Sequence, residues 1–331
     1  MNEPGTAVEG RAIEAPAGLE PSPLGGQQDL VNQHHFTVAG PRQRAENHAD
    51  IGVGPFRRVD SVTPLCTVAG MAAINYAHPG LLTDLSEVDP AALADVPAQA
   101  VDICRLANTL IIQPRAAESV GLPEVRFAET QIRRTDAIVG ALLALQPDPI
   151  HLRREPHQRL IGTCRHFAVL SCALLRHRGI AARARCGFAT YFQPGQGVDH
   201  WITEYWHDDD SRWVRIDSEI MGESVLATPE DVSAAQFLTG GEAWVAYRRG
   251  DIDAAQFGVY GTGNWGPGEI RGNAIRDLAA LNKVEMLPWD NWGRMESSYK
   301  GETGADYDEY VDMIAAVCAS EDVLAVADLY A

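Results

Sequence analysis

Three residues of unlike type fall in an order that supports covalent catalysis: Cys164, His200 and Asp217. A cysteine at a helix N-terminus beside an imidazolium loses its proton more easily than a free thiol and becomes a nucleophile. His200 is placed to take the thiol proton and return it to a leaving group. Asp217 is placed to fix the imidazole tautomer and stabilise its charged form. The backbone N–H of Cys164 would be one oxyanion donor. The blander reading of Cys164 is a small core residue.

The elements around these residues must hold them together. In "GTCRHFAVLSCALLRHRGI" (162–180) Thr163 is an N-cap candidate, Phe167, Ala168, Leu174 and Leu175 form an apolar stripe, and Gly179 suits a helix end. The period then switches to two: "IAARARCGFATYF" puts Ala182, Ala184, Cys186 and Phe188 on one face and Arg183 and Arg185 on the other. "HWITEYW" and "RWVRID" read as a hairpin around "HDDDS". With residues 207–210 as its turn, Trp206 faces Ser211, Ile202 faces Arg215 and His200 faces Asp217, while Trp201, Thr203, Val214 and Ile216 share an apolar face. The acids Asp208, Asp209 and Asp210 are then a solvated tip rather than a metal site.

Further out, 90–112 reads as a helix interrupted near Pro97, 124–145 and 269–285 as helices, and about 305–328 as a final helix. Residues 1–30, rich in Pro, Gly and Glu, read as a disordered tail. The expected division is a catalytic domain over 31–240 with a helical N-terminal part, and a mainly helical extension over 241–331.

Composition narrows the classes. A formal net charge of −18 disfavours nucleic acid and anionic membrane as partners. No apolar run of about 18 residues occurs, so no membrane span is expected, and the N-terminus has no basic start with an apolar stretch behind it, so no secretory signal is expected. The cysteines at 66, 104, 164, 172, 186 and 318 are then expected as free thiols in a cytoplasmic protein. Cys172 and Cys186 read as core. No metal site or cofactor is expected: His34 and His35 lack spaced partners, and "GTGNWG" (261–266) lacks a clean strand-to-helix setting.

From His151 to Arg185 eight arginines (153, 154, 159, 165, 176, 178, 183, 185) face one acid, Glu155. This island is either a solvated basic face or a positive field that favours a thiolate and an anionic substrate group. On the second reading Arg153, Arg154 and Arg165 are candidate substrate-binding residues, with His166 and Trp201 flanking the nucleophile and the base. His166 reads first as a surface residue and second as a border of the cleft. The segment 258–293, with Trp265, Trp289 and Trp292, is a candidate cleft wall.

The stretches "GTCRHFAVLSCALLRHRGIAARARCGF", "DHWITEYW" and "RWVRIDSE" (within 162–219) resemble the transglutaminase-like superfamily of papain-fold cysteine enzymes. The resemblance implies an α+β fold with a cysteine-bearing helix packed on an antiparallel sheet, Cys164 as nucleophile, His200 as base and Asp217 as orienting acid. It departs from animal transglutaminases, whose tryptophan before the catalytic cysteine has no counterpart here, since every tryptophan lies at 201 or later. Gln158 is the candidate for the second oxyanion donor. No calcium-loop pattern appears. The expected activity is acyl transfer through a thioester, on a small, peptide-like or carrier-bound acyl substrate, giving amide hydrolysis or amide formation. The alternative is a non-catalytic binding module with the same fold.

Overall fold

A computed structural model describes residues 74–320 and 322–330. The tail expected over 1–30, His34, His35 and Cys66 lie outside the described residues.

At the centre lies helix α5 (Cys164–His177), in which every residue from Cys164 to Arg176 is buried. Thr163 caps it, its backbone N–H donating to His166 Nδ1 at 3.1 Å. Gly179 follows the helix in left-handed geometry (φ 77°), the conformation a glycine adopts without steric cost. Gly162 is required for another reason: a Cβ there would meet His166 Cβ at 2.8 Å and Ile111 Cγ2 at 2.9 Å.

Strands β3 (Ala182–Ala189), β4 (Gly197–His207), β5 (Arg212–Ile216) and β6 (Phe237–Thr239) form an antiparallel sheet in the order β5-β4-β3-β6. A fifth strand, β7 (Phe257–Gly258), pairs in parallel with Gly197 and Val198. The outer edge of β4 is therefore shared: β7 takes its first residues and β5 takes Thr203 to His207. His200 lies in the interval between them. Strands β1 (Ile111–Ile112) and β2 (Leu160–Ile161) make a separate parallel pair leading into α5.

Helices α1 (Pro90–Leu93), α2 (Ala100–Leu110), α3 (Pro114–Ser119) and α4 (Thr135–Leu145) precede α5. With α5 and the inner face of the sheet (Ala182, Ala184, Cys186, Trp201, Tyr205, Val214, Ile216), α1, α2 and α4 enclose the main core, while Ala117 of α3 packs with Ile112 and Ile161. On the other face lie α6 (Gly240–Arg249), α7 (Pro267–Leu281), α8 (Met295–Tyr299), α9 (Ala305–Ala319) and α10 (Val323–Tyr330), with a second core around Trp244, Ile270, Ala274 and Ile314. The fold is α+β, with a cysteine-bearing helix on an antiparallel sheet.

Four local expectations change. The segment 124–145 is split into a 3-10 helix, Glu124–Gln131, and α4, with Ile132 in extended geometry between them. The last helix is two, broken at Ser320, whose backbone is extended. Phe188 joins the second core rather than the first. The hairpin is paired as Thr203↔Ile216, Tyr205↔Val214 and His207↔Arg212, so its turn is 208–211, with Ser211 at φ 49°. Every cross-strand partner therefore moves by two residues from expectation. Because the side-chain period is two, the inward set Trp201, Thr203, Val214 and Ile216 keeps its face.

Between the sheet and the C-terminal helices runs a buried ion-pair cluster. Glu204 meets Arg183 Nε at 2.6 Å, Arg185 Nη1 at 3.0 Å and Arg215 Nε at 3.1 Å. Asp277 of α7 takes Arg185 in a two-pronged contact at 2.8 Å each. Buried charges persist only with such pairing.

Candidate active site

Helix α5 presents Cys164 in its first turn, β4 carries His200, and the chain leaving β5 carries Asp217. His200 Nε2 lies 2.8 Å from Asp217 Oδ2. One ring nitrogen of His200, Cys164 Sγ and a Glu219 carboxylate oxygen all lie within 4.8 Å of one another. Straight extension of the β4–β5 pairing would set Glu219, not Asp217, opposite His200. The contact forms because the chain leaves β4 after Ile216: Asp217 N–H donates to Pro229 O at 2.8 Å and Val232 N–H to Arg215 O at 2.8 Å.

Asp217 is held from several sides. Its Oδ1 accepts the Glu219 N–H at 3.0 Å, and its Oδ2 accepts the Tyr191 hydroxyl at 2.5 Å as well as His200. Asn108 donates to the carbonyls of Ser218 (2.9 Å) and Glu219 (2.8 Å), pinning the stretch that carries both acids. The His200 ring stands edge-on to Phe192, with centroids 5.0 Å apart. Cys164 is 4% exposed, and His200 and Asp217 are 1% exposed.

Electrostatics follow from that enclosure. Burial pushes the Cys164 thiol up to about 11, against the opposing pull of His200; Glu219 and Asp199 push it further up. For His200, burial disfavours the charged ring, but the Asp217 carboxylate outweighs it and holds the imidazole well above its ordinary range. Asp217 is correspondingly held below the ordinary carboxylate range: burial opposes ionisation, and His200, Tyr191 and the Glu219 N–H together prevail.

The other candidate residues go elsewhere. Arg165 is fully buried and donates to the Glu285 and Arg133 carbonyls. Arg154 is buried and donates to the carbonyls of Leu142, Gln146, Asp148 and Gln158. Both brace backbone carbonyls outside α5. His166 is fully buried, not on the surface; burial, with Arg165 beside it, pushes it down to about 3. Trp201 is 1% exposed in the main core. Gln158 sits in a turn, its Oε1 accepting the Glu155 N–H at 2.9 Å. Arg153 alone of these is exposed, 3.5 Å from Glu155.

The other arginines of the island are paired as well. Arg176 bonds Thr83 and Glu285, Arg178 bonds carbonyls near Pro97, Arg159 bonds the Arg154 carbonyl, and Arg183 and Arg185 face the other side of the sheet. Beside the His200 ring, the Glu219 and Asp199 carboxylates act on Cys164. Of the segment 258–293, Asn273 donates to Asp199 Oδ1 at 2.6 Å, and Arg276 bonds Asn273 and Asn291. Trp289 donates to Gln131 Oε1 at 3.2 Å. Tyr191 and Glu219 carry no spacing signal; Tyr191 ends the β3 alternation and Glu219 follows Asp217 by two, and only the chain's departure from β4 brings them in.

Cysteine at a helix start, histidine on a central strand and a carboxylate on the next define the class: an α+β protein built like a cysteine enzyme. Residues 148–218 match the family model described as Transglutaminase-like superfamily, a span that holds Cys164, His200 and Asp217. That match supports a cysteine enzyme at the level of the family. No curated protein matches the chain. A crystal structure from Cytophaga hutchinsonii at 1.9 Å, described provisionally as a cysteine protease, is similar over 50% of this chain and 44% of that one, at 17% identity and a TM-score of 0.29. The chain thus spans less than half the length of that structure. Among the described residues, no helix is long and apolar enough to cross a membrane.

Proposed function

We propose that this protein is a cysteine-dependent acyl-transfer enzyme acting through a thioester on Cys164, with a small or peptide-like amide or thioester as acyl donor. The observation that carries this reading is the 2.8 Å His200–Asp217 contact beside a thiol in the first turn of α5. With the His200 ring neutral, Nδ1 takes the Cys164 thiol proton; the thiolate then attacks the acyl carbon, and the carbonyl electrons move to an oxyanion that faces the Cys164 N–H. The His200 imidazolium gives its proton to the departing amine or thiol as the acyl–heteroatom bond breaks. Water or an amine then attacks the thioester, His200 takes its proton, and the sulfur leaves. Asp217 keeps Nε2 protonated throughout. Arg153, the exposed member of the arginine island, is the candidate for meeting an anionic donor.

A binding module that keeps the fold is the second reading, favoured by the 4% exposure of Cys164. Incubation with amide and thioester donors followed by intact-mass analysis decides between them. An acyl adduct on Cys164, absent in Cys164→Ala, is the expected result. An unmodified chain across both donor classes, with substrate analogues still bound, establishes the module.

A further inference from the structure

We propose that Cys164, His200 and Glu219 form a binding site for a divalent cation of the zinc type, which ties up the thiol and imidazole and reversibly silences the site. The first part stands on ligand geometry alone; the silencing rests on the acyl-transfer reading.

The three donors are one sulfur, one nitrogen and one carboxylate oxygen, within 4.8 Å of one another. Zinc bonds sulfur at about 2.3 Å and nitrogen or oxygen at about 2.0–2.2 Å, so the donors of a tetrahedral site stand about 3.3–3.7 Å apart. Closing the observed spacing takes roughly 1 Å, within the reach of the Cys and Glu side-chain torsions. A mixed S, N, O set suits zinc and excludes calcium and magnesium, which take oxygen ligands.

The surroundings supply what such a site needs behind its ligands. Asp217 holds Nε2 of His200 at 2.8 Å, which leaves Nδ1 with the lone pair that a metal takes. A carboxylate behind a metal-bound histidine fixes the ring and raises its basicity. Asn108 fixes the backbone of Ser218 and Glu219. Charge also closes: a thiolate and a carboxylate balance a divalent ion, which suits ligands that are 1–4% exposed. As the metal–sulfur bond forms, the thiol proton leaves to solvent, together with any proton carried on Nδ1. With three protein ligands, the fourth position falls to water.

Cobalt(II) titration of the chelator-treated full chain tests this. The expected result is one cobalt per chain, with a sulfur-to-cobalt charge-transfer band and tetrahedral d–d bands, all displaced by one equivalent of zinc. Cys164→Ala abolishes the charge-transfer band, Glu219→Gln weakens zinc binding at least about tenfold, and Asp217→Asn weakens it about 10–100-fold. Blocking Cys164 with iodoacetamide in the unsubstituted chain gives the same loss without a folding variable. Absence of the one-to-one charge-transfer band, or equal zinc affinity in the blocked chain, overturns the site. Acyl-adduct formation is measured separately in chelator. An adduct without cobalt binding sinks the metal site alone. Cobalt binding without an adduct upholds the site and sinks the acyl-transfer reading.

Discussion

The Tyr191 hydroxyl and the His200 ring share one oxygen: Asp217 Oδ2 accepts from Tyr191 at 2.5 Å and from His200 Nε2 at 2.8 Å. The acid behind the base is therefore braced from the chain just past β3 as well as from β4. A hydrogen bond to a charged group contributes about 1.5–3 kcal/mol. Tyr191→Phe is expected to cost that much stability in urea unfolding. It also leaves Asp217 a stronger acceptor for His200, so the His200 titration read by NMR moves further up. A downward or absent movement would show that Tyr191 only packs.

Thiol reactivity is expected to rise toward alkaline pH. Burial holds Cys164 protonated to about 11, and the imidazolium is the group that draws it down. Iodoacetamide modification followed from pH 6 to 10 should climb without an acid plateau. In His200→Ala the climb begins higher still. A rate already flat at pH 6 would mean that a thiolate–imidazolium pair is present at rest.

Asp217→Asn is expected to leave the circular-dichroism spectrum native while costing up to about four orders of magnitude in acyl-adduct formation, since the ring loses the partner that sets its tautomer. A loss below tenfold would remove Asp217 from the chemistry.

His166 makes the fold sensitive to acid. Its folded pKa is about 3, while in the unfolded chain it titrates near 6.5. Between those values the unfolded state binds the extra proton, so stability falls as pH drops from about 6.5 to about 3. His166→Gln, which retains an acceptor for the Thr163 N–H, should flatten that limb of the stability–pH curve. An unchanged slope would place the acid sensitivity elsewhere.

Glu204 titrates in the same direction for a different reason. Burial opposes its ionisation, but Arg185, Arg183 and Arg215 prevail and hold it well below the ordinary carboxylate range. Its contribution is present above the unfolded value of about 4.3 and is lost as pH falls toward its folded value. Glu204→Gln leaves three guanidinium groups short of a partner and should cost about 3–5 kcal/mol at pH 7, read by denaturant titration.

Local chemistry made much of the frame legible. Thr163, the apolar stripe and Gly179 bound α5, and alternation identified β3 through β5. These signals act within a few residues and need no distant partner. The hairpin turn was misplaced because "HDDDS" offers several turn residues, and the left-handed Ser211 that settles the turn has no sequence signature. The arginines were misread because their partners, the Glu285 and Arg133 carbonyls for Arg165 and Asp277 for Arg185, lie far along the chain. The shift in register would have separated His200 from Asp217 had β5 continued, and the Asp217–Pro229 bond that redirects it is equally nonlocal.

The stretch after Ile216 folds back on itself through Asp217 to Pro229 and returns along β5 through Val232 to Arg215, instead of continuing along β4. Both acids beside His200 thus ride on an appendage to the sheet. Grafting a loop of different length or sequence between those two anchors would exchange the acidic half of the centre, while the sulfur and the imidazole, seated on α5 and β4, keep their positions.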